Sequence, residues 1–312
     1  MEFGQILDPV ELNQLRFSLP SMHAPEEQEQ LARLARAAAR SPQASKIHIG
    51  IPVFSFPAWV GSFYPEGTES TEFLRAYSKQ LSTVELNSTF YAIPAAETFL
   101  KWKASVGESF KFCPKFPKSV SHSLDANHAD LKLFVERVAL FEDHLGICFL
   151  QLPHYFSSRD QERLLTLLSA LPRELRTVVE LRNGEFFAGQ RLKPEWVDQL
   201  AKRFVGSVIL DSPGERAIAH VSITSTRVMV RFLGANLHDS DFVRLREWAQ
   251  RVAAWHAAGM KEIYFLVHEP DNGVAPIAAK LMIEYVNEAL TKAGSSYKVP
   301  PIEWHSLFEM PK

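Results

Sequence analysis

Two strand-like segments of this sequence carry a glutamate at the centre of an apolar run. Glu85 lies in residues 83–87, and Glu180 lies in residues 177–182. Because side chains alternate between the two faces of a strand, Asn87 shares a face with Glu85 and Arg182 shares a face with Glu180. A charged side chain is rarely kept inside a buried strand unless it is paired or used. Both glutamates are therefore candidate acid/base groups.

The ends of the other strand-like segments are also polar. If the strands form a barrel, their carboxyl ends meet at one pole, and these side chains are expected to converge there. Lysine and arginine suit an anionic group, and carboxylates and histidine suit proton transfer. The predicted catalytic residues are Glu85, Glu180, His122 and Asp211. The predicted ligand-binding residues are Asn87, Tyr91, Lys115, Gln151, Arg182, Arg231, His268, Glu269 and Trp59.

Two other interpretations of this polar set stay open. One is that the charges form a buried ion-pair network kept for structure, with Arg182 pairing to Glu180. A divalent metal has weak support, since no His-x-His, His-Glu-x-x-His or Cys-x-x-Cys spacing occurs. His268 and Glu269 are adjacent, so a strand would point them to opposite faces. The sequence specifies no cofactor.

Strand-like segments alternate with amphipathic helical segments along most of the chain. The predicted strands are residues 47–53, 83–87, 110–115, 147–152, 177–182, 207–211, 228–233 and 263–268. Eight parallel strands joined by helices are typical of a closed α/β barrel, and an open doubly wound sheet is the alternative. No Gly-rich phosphate-binding loop follows any strand. We therefore predict a TIM-type (β/α)8 barrel, irregular where the connection around 214–220 is short.

The ends of the chain differ from the predicted barrel. Residues 1–45 form a predicted helical extension, with Asp8 as an N-cap before Pro9 and a second helix beginning near Pro25. Packing on the barrel is the favoured role of this extension, and a partner surface is the alternative. The barrel domain is placed at 46–293. The tail at 294–312 is expected to pack on the barrel through Trp304 and Phe308.

Composition narrows the classes of function. The 312 residues have 46% hydrophobic residues and a net charge of −2. This charge provides no overall basic field for binding nucleic acid, and it remains compatible with a local basic groove. Only two cysteines occur, which fits a reducing compartment. No secretory signal or run of about 20 apolar residues is seen. We expect a cytoplasmic protein without membrane segments, and the oligomeric state is not specified.

Several motifs resemble those of a known family. The most specific is Val-Glu-Leu-Asn-Ser-Thr-Phe-Tyr at 84–91, and the others are Trp-x-Gly-x-Phe-Tyr-Pro at 59–65, Gln-Leu-Pro at 151–153, Glu-Leu-Arg at 180–182 and Gly-x-Ala-Pro at 273–276. They occur in the order found in the YecE-like family, known as domain of unknown function 72. The resemblance covers about residues 47–290. It implies a TIM-type barrel, and it implies no established reaction, substrate or cofactor.

The sequence departs from that family in three segments that carry polar residues. Arg231 is followed by Phe-Leu-Gly where the family has x-His-Gly, His268 and Glu269 replace two asparagines, and Ala278 replaces a later asparagine. Glu85, Lys115, Gln151, Glu180, Arg182, Asp211 and Arg231 fit the family pattern. The changes indicate either that this protein binds a different ligand or that His268 and Glu269 compensate for the lost polar groups.

Three functions follow from these residues. The first is a hydrolase or lyase that acts on a small anionic or sugar-phosphate-like substrate. The second is a metal-dependent nuclease or isomerase built on the carboxylates and His268. The third is a non-catalytic binding or scaffold protein that uses the N-terminal helices.

Overall fold

Eight parallel strands form a nearly closed barrel in the computed structural model, which describes residues 3–40 and 44–303. The order of strands in the sheet is β3-β2-β1-β8-β7-β6-β5-β4. Their bounds are β1 Lys46–Ile51, β2 Thr83–Leu86, β3 Lys111–Pro114, β4 Cys148–Gln151, β5 Thr177–Glu180, β6 Gly206–Asp211, β7 Arg227–Leu233 and β8 Glu262–His268. The predicted TIM-type barrel is confirmed, and each observed strand overlaps its predicted segment.

The two ends of the sheet meet between β3 and β4. The amide of Gly146 donates to the carbonyl of Phe112 at 2.8 Å, and the amide of Phe116 donates to the carbonyl of Phe149 at 3.0 Å. Parallel bridges at Phe112 to Leu145 and Lys115 to Phe149 flank this seam. These bonds close the cylinder although the ladder between β3 and β4 is interrupted.

Helices cover the outside of the barrel. Their bounds are α1 Pro9–Gln14, α2 Pro25–Arg40, α3 Phe73–Gln80, α4 Ser88–Tyr91, α5 Ala96–Ala104, α6 Lys118–Ser123, α7 Ala129–Ala139, α8 Gln161–Ala170, α9 Pro194–Lys202, α10 Asp239–Ala257 and α11 Ala275–Lys292. The residues between β6 and β7 contain only a short 3-10 helix, Arg216–Ile218. The outer face of the barrel therefore lacks its usual crossover helix at this point.

Helix α2 occupies the position left by that missing crossover helix. Gln30 accepts a hydrogen bond from the amide of Ile223, in the connection between β6 and β7, at 2.7 Å. Glu27, which is 2% exposed, pairs with Arg251 of α10 at 2.5 Å and with Arg191, just before α9, at 3.1 Å. The N-terminal extension thus lies between α9 and α10, where it covers the sheet.

The barrel interior is layered by the alternation of side chains along each strand. Its middle layer is apolar and consists of Cys113, Ile147, Phe149, Val178, Val208, Met229, Tyr264 and Leu266. Two residues further along five of these strands, on the same face, stand Lys115, Gln151, Glu180, Arg231 and His268. The apolar layer therefore forms the floor of a polar layer at the carboxyl-terminal pole.

The described part of the C-terminal tail contacts the first strands and α11. The hydroxyl of Tyr297 accepts from the amide of Ile47 at 3.0 Å, and the amide of Val299 donates to Asn287 at 2.9 Å. Trp304 and Phe308, on which the predicted tail packing depended, lie outside the described residues. Among the helices described, none is long and apolar enough to cross a membrane.

Replacing Glu27 by alanine is expected to lower the free energy of unfolding by about 3 kcal/mol, because it leaves Arg251 buried without its carboxylate. Urea unfolding followed by circular dichroism measures this loss. Glu29→Ala, at an exposed position of the same helix, is the matched control and should change stability by less than about 0.5 kcal/mol. Equal losses in the two variants would contradict the anchoring role of Glu27.

Candidate functional site

Arg231 is the centre of the polar layer. Its Nε and Nη2 atoms donate to the two carboxylate oxygens of Glu85, each at 3.0 Å. Its Nη1 atom donates to Glu180 at 2.9 Å. All three side chains are at most 5% exposed. One guanidinium from β7 therefore bridges carboxylates from β2 and β5, and the planar fork of arginine makes the contact with Glu85 bidentate.

Glu85 receives two further contacts. Asn87 Nδ2 donates to its carboxylate at 2.9 Å, and His268 Nε2 lies 3.0 Å from the other oxygen. Burial alone would raise the pKa of Glu85, but Arg231 and His268 outweigh burial and hold that pKa well below its usual range. Glu85 is therefore an ionised acceptor at neutral pH.

Glu180 is ionised for similar reasons. Arg182 Nε donates to it at 2.5 Å, so the predicted pair within one strand is present. Burial raises the pKa of Glu180, but Arg182, Arg231 and Lys115 together lower it to about 2. The Nη atoms of Arg182 donate to no residue that the structure describes, and its side chain is 14% exposed. Arg182 therefore keeps donors available at the pole.

Lys115 is the third cation of the polar layer. Its Nζ atom donates to the neutral amide of Gln151 at 3.0 Å and lies 4.2 Å from the ring centre of Phe90. Gln151 also accepts from Arg231 at 3.3 Å. Burial, assisted by Arg231 and opposed by Glu85, lowers the pKa of Lys115 to about 8. The amine is thus closer to neutrality than an ordinary lysine.

His122 lies at the edge of this layer, on α6. Its ring contacts Phe90, with 5.8 Å between ring centres, and Ser121 Oγ lies 3.0 Å from Nδ1. Burial, followed by Lys118 and Lys115, lowers the pKa of His122. His122 and Lys115 therefore contact the same aromatic ring, which places the predicted acid/base histidine beside the polar layer rather than within its ion pairs.

The two predicted aromatic ligand contacts have opposite environments. Tyr91 is 83% exposed and packs edge-on against Phe90. Trp59 is 2% exposed, its Nε1 donates to the carbonyl of Asn272 at 2.9 Å, and its ring packs against Phe63. Trp59 therefore belongs to the apolar core beneath the loops. Of the two side chains, only that of Tyr91 is exposed to solvent.

The structure does not bring Asp211 to the Arg231 cluster. Val208 faces the barrel interior, so Asp211, three residues later, points outward beneath α10. Its carboxylate accepts from Trp248 Nε1 at 2.6 Å and pairs with Arg244 at 3.0 Å and with Arg216. Burial raises the pKa of Asp211, but Arg244 and Arg216 lower it to about 2. Asp211 therefore connects α10 to the barrel and lies apart from the other predicted catalytic residues.

Glu269 is also outside that cluster, while its neighbour His268 is inside. One carboxylate oxygen of Glu269 accepts from the amide of Asn236 at 2.8 Å, and the other is buried without a partner. Burial, assisted by the nearby carboxylate of Asp241, raises the pKa of Glu269 to about 8. Glu269 therefore supports the loop after β7 and lies apart from the Arg231 cluster.

Sequence reasoning missed an aromatic side chain at the pole. The ring of Phe3 lies 4.8 Å from Arg182 Cζ and 6.4 Å from the ring of His154. The carbonyl of the next residue, Gly4, accepts from the amide of Gly214 at 2.7 Å, in the loop after β6. The segment 3–4 thus lies beside the polar layer. No local pattern signals this contact, because Phe3 is remote in sequence from every strand.

The polar layer contains few side chains that could bind a metal ion together. Within residues 3–40 and 44–303, no three His, Cys, Asp or Glu side chains are grouped closely enough to hold a metal ion. Glu85 and His268 are a pair, and the opposite directions of His268 and Glu269 agree with the alternation expected for adjacent strand residues. The metal-dependent alternative gains no geometric support.

Replacing Glu85 by glutamine is expected to lower the free energy of unfolding by about 3 kcal/mol, since Arg231 then keeps only one carboxylate in a buried layer. Equilibrium urea unfolding at neutral pH checks this value. Glu66→Gln, at an exposed loop position, is the control. A loss below about 1 kcal/mol would show that the bidentate pair is dispensable for folding.

The raised pKa of Glu269 predicts a particular pH dependence of stability. Between about pH 4.5 and 8 the folded protein binds this proton more strongly than the unfolded chain, so the free energy of unfolding should fall as pH rises. We expect Glu269→Gln to flatten the profile by on the order of 5 kcal/mol across this window. Unfolding in urea at several pH values measures it, with exposed Glu195→Gln as control. A stability profile of Glu269→Gln that runs parallel to that of the parent protein would contradict the raised pKa of Glu269.

Comparisons with known sequences agree with the architecture. The model of the family "Protein of unknown function DUF72" matches residues 48–302. The UPF0759 protein YecE of Escherichia coli O157:H7 is 31% identical over 282 residues, which cover 84% of this chain and all of that protein. The UPF0759 protein YunF of Bacillus subtilis is 26% identical over 188 residues, covering 56% of this chain and 66% of that protein.

Solved structures show the same fold. A DUF72 family protein from Enterococcus faecalis matches with a TM-score of 0.64 at 19% identity, covering 78% of this chain and 96% of that chain. One from Thermotoga maritima matches with a TM-score of 0.62 at 24% identity, covering 78% and 99%. The family model and the extent of the match to YecE identify this chain as a member of the DUF72 family, a family of unknown function built on this barrel.

Proposed function

We propose that the carboxyl-terminal pole is the active site of an enzyme that acts on a small anionic, sugar-phosphate-like substrate, and that its chemistry is of the lyase type. The observation that carries this proposal is the charge of the polar layer. Three cations, Lys115, Arg182 and Arg231, face two carboxylates, Glu85 and Glu180. The excess of one positive charge in a poorly solvated layer favours an anionic ligand.

The distribution of donors supports the same conclusion. Arg231 is committed to Glu85 and Glu180, so it is a poor contact for a ligand. Arg182 uses only Nε for Glu180, and its remaining donors suit the planar oxygens of a phosphate or carboxylate. Lys115 adds a second positive charge, and Tyr91 and His122 lie at the rim. The anionic end of a substrate would therefore bind at Arg182.

The state of the glutamates favours lyase chemistry over hydrolysis. Hydrolysis by a pair of carboxylates needs one of them to carry a proton at working pH. Arginine contacts hold the pKa of Glu85 well below its usual range and that of Glu180 at about 2, so both would be ionised. Lys115, with a pKa lowered to about 8, changes protonation much closer to neutral pH than either glutamate. Proton transfer or nucleophilic attack would then fall to Lys115 rather than to the glutamates.

A purely structural ion-pair network is the competing interpretation. Such a network gains stability from pairing and has no need of the free donors of Arg182. The two interpretations differ in whether an anion binds at the pole, and that difference is measurable without knowing the natural substrate.

Arg182→Gln is expected to weaken binding of sn-glycerol 3-phosphate by at least about tenfold, because it removes the charged, planar pair of N–H donors that suits a phosphate. This probe has a phosphate and no carbonyl group. Isothermal titration calorimetry measures the dissociation constant. Arg182→Lys, which keeps the charge but lacks the planar pair of donors, should have an intermediate dissociation constant. Glycerol should bind neither protein measurably.

Arg159→Gln is the matched control, since Arg159 is an exposed arginine in the connection after β4. It should bind the phosphate probe as the parent protein does. Equal binding by Arg182→Gln and the parent, or no binding by the parent, would contradict an anion site at this pole and leave the structural network as the better account.

A further inference from the structure

We propose that Lys115 is a nucleophile that attacks the carbonyl carbon of a small anionic aldehyde or ketone and holds it as an imine. The imine step rests on the proposed anion-binding function. It adds the identity of the reacting group and the class of substrate, namely a phosphorylated or carboxylated carbonyl compound.

The surroundings of Lys115 separate it from the other charged groups of the layer. Its Nζ atom lies over Phe90 at 4.2 Å from the ring centre and 5.7 Å from that of Phe149, and the residue is 8% exposed. Its hydrogen bond goes to the neutral amide of Gln151. No carboxylate of the described residues pairs with it within 4 Å, while Glu85 and Glu180 are bound by arginine. Deprotonation of the Lys115 amine therefore breaks no ion pair within 4 Å among the described residues.

The protonation state supports a nucleophilic role. Burial and the neighbouring Arg231 lower the pKa of Lys115 to about 8, against about 10.4 for an ordinary lysine. Roughly a tenth of the amine is then neutral at pH 7, compared with less than about a thousandth for an ordinary lysine. Desolvation beside a second cation is a recognised way to activate a lysine for imine formation.

The step balances without a further reactant. The nitrogen lone pair forms a C–N bond, the carbonyl π electrons move to oxygen, and a proton passes from nitrogen to that oxygen. The resulting hydroxyl group takes up one proton from solvent, equal to the proton that the Lys115 ammonium released, and leaves as water, so that an iminium ion remains. In a substrate with a hydroxyl group on the next carbon but one, the C–C bond beyond the adjacent carbon then breaks and its electron pair moves towards the iminium nitrogen, which gives an enamine on Lys115. The hydroxyl group passes its proton to His122 and becomes the carbonyl group of the released fragment, which is the chemistry of a lyase.

The rest of the layer suits this reaction. Arg182 provides free donors for the anionic end of the substrate, and His122, which contacts the same ring of Phe90, is available for proton transfer at the rim. Glu180 and Glu85 remain ionised and stabilise positive charge on the iminium. The glutamates then have an electrostatic role instead of the acid/base role expected from sequence.

Reductive trapping tests the imine. The protein is incubated with glycolaldehyde phosphate and reduced with sodium borohydride, which converts an imine into a stable secondary amine that peptide mass spectrometry locates. We expect a reduction-dependent adduct at Lys115 that forms at least about tenfold faster than at exposed Lys118. Glycolaldehyde, without the phosphate, should label Lys115 more slowly, and sn-glycerol 3-phosphate should protect Lys115 but not Lys118.

Two variants keep the test independent of folding. Lys115→Arg keeps the charge and Lys115→Met keeps an unbranched side chain, and both should lose the adduct at position 115 while their thermal unfolding remains cooperative. Lys115→Arg should still bind sn-glycerol 3-phosphate through Arg182. Adducts spread over exposed lysines at similar rates, unchanged in Lys115→Arg, would overturn the imine.

The outcomes separate the two proposals. Binding of sn-glycerol 3-phosphate that depends on Arg182, without trapping at Lys115, would refute the imine and leave the anion site. Trapping at Lys115 by both aldehydes at equal rates, without binding of the phosphate probe, would support an activated lysine and refute recognition of an anion.

Discussion

The polar pole of this barrel depends on one interaction, the sharing of Arg231 between Glu85 and Glu180. A guanidinium inside a barrel needs counter-charges because water is excluded, and two carboxylates from strands on either side provide them. The apolar floor that includes Phe149 and Met229 raises this need by removing solvent from below. Both glutamates are thereby fixed in position and in charge.

That commitment determines which groups are left for chemistry. A carboxylate with a strongly lowered pKa neither gives a proton nor takes one readily at neutral pH. Arg182 shares only one edge of its guanidinium, and Lys115 hydrogen-bonds to an amide rather than to an acid. These two cations are therefore the least engaged in ion pairs among the charged residues of the polar layer. The ion-pair network is thus compatible with the proposed ligand site, because among the described residues it leaves these two cations unpaired or only partly paired.

The sequence predicted the barrel and most of this layer, but not its separation from a second network. Glu85 and Glu180 interrupt short apolar strands, so the face they occupy can be read from alternation. β6 and β8 are buried on both faces, and their apolar residues run on without alternation. Nothing local then shows that Asp211 and Glu269 point outward, beneath the helices, while His268 points inward.

Pairing across the barrel is a further limit on sequence reasoning. The pair of Glu180 with Arg182 is visible locally because the two residues are two apart on one strand. Arg231 reaches Glu85 across a separation of 146 residues, and Phe3 reaches Arg182 from the start of the chain. Such contacts depend on the radius of the barrel and on where the N-terminal extension packs. For this reason the proposal of Lys115 as the reactive group, rather than either glutamate, depends on knowing which carboxylates the arginines bind.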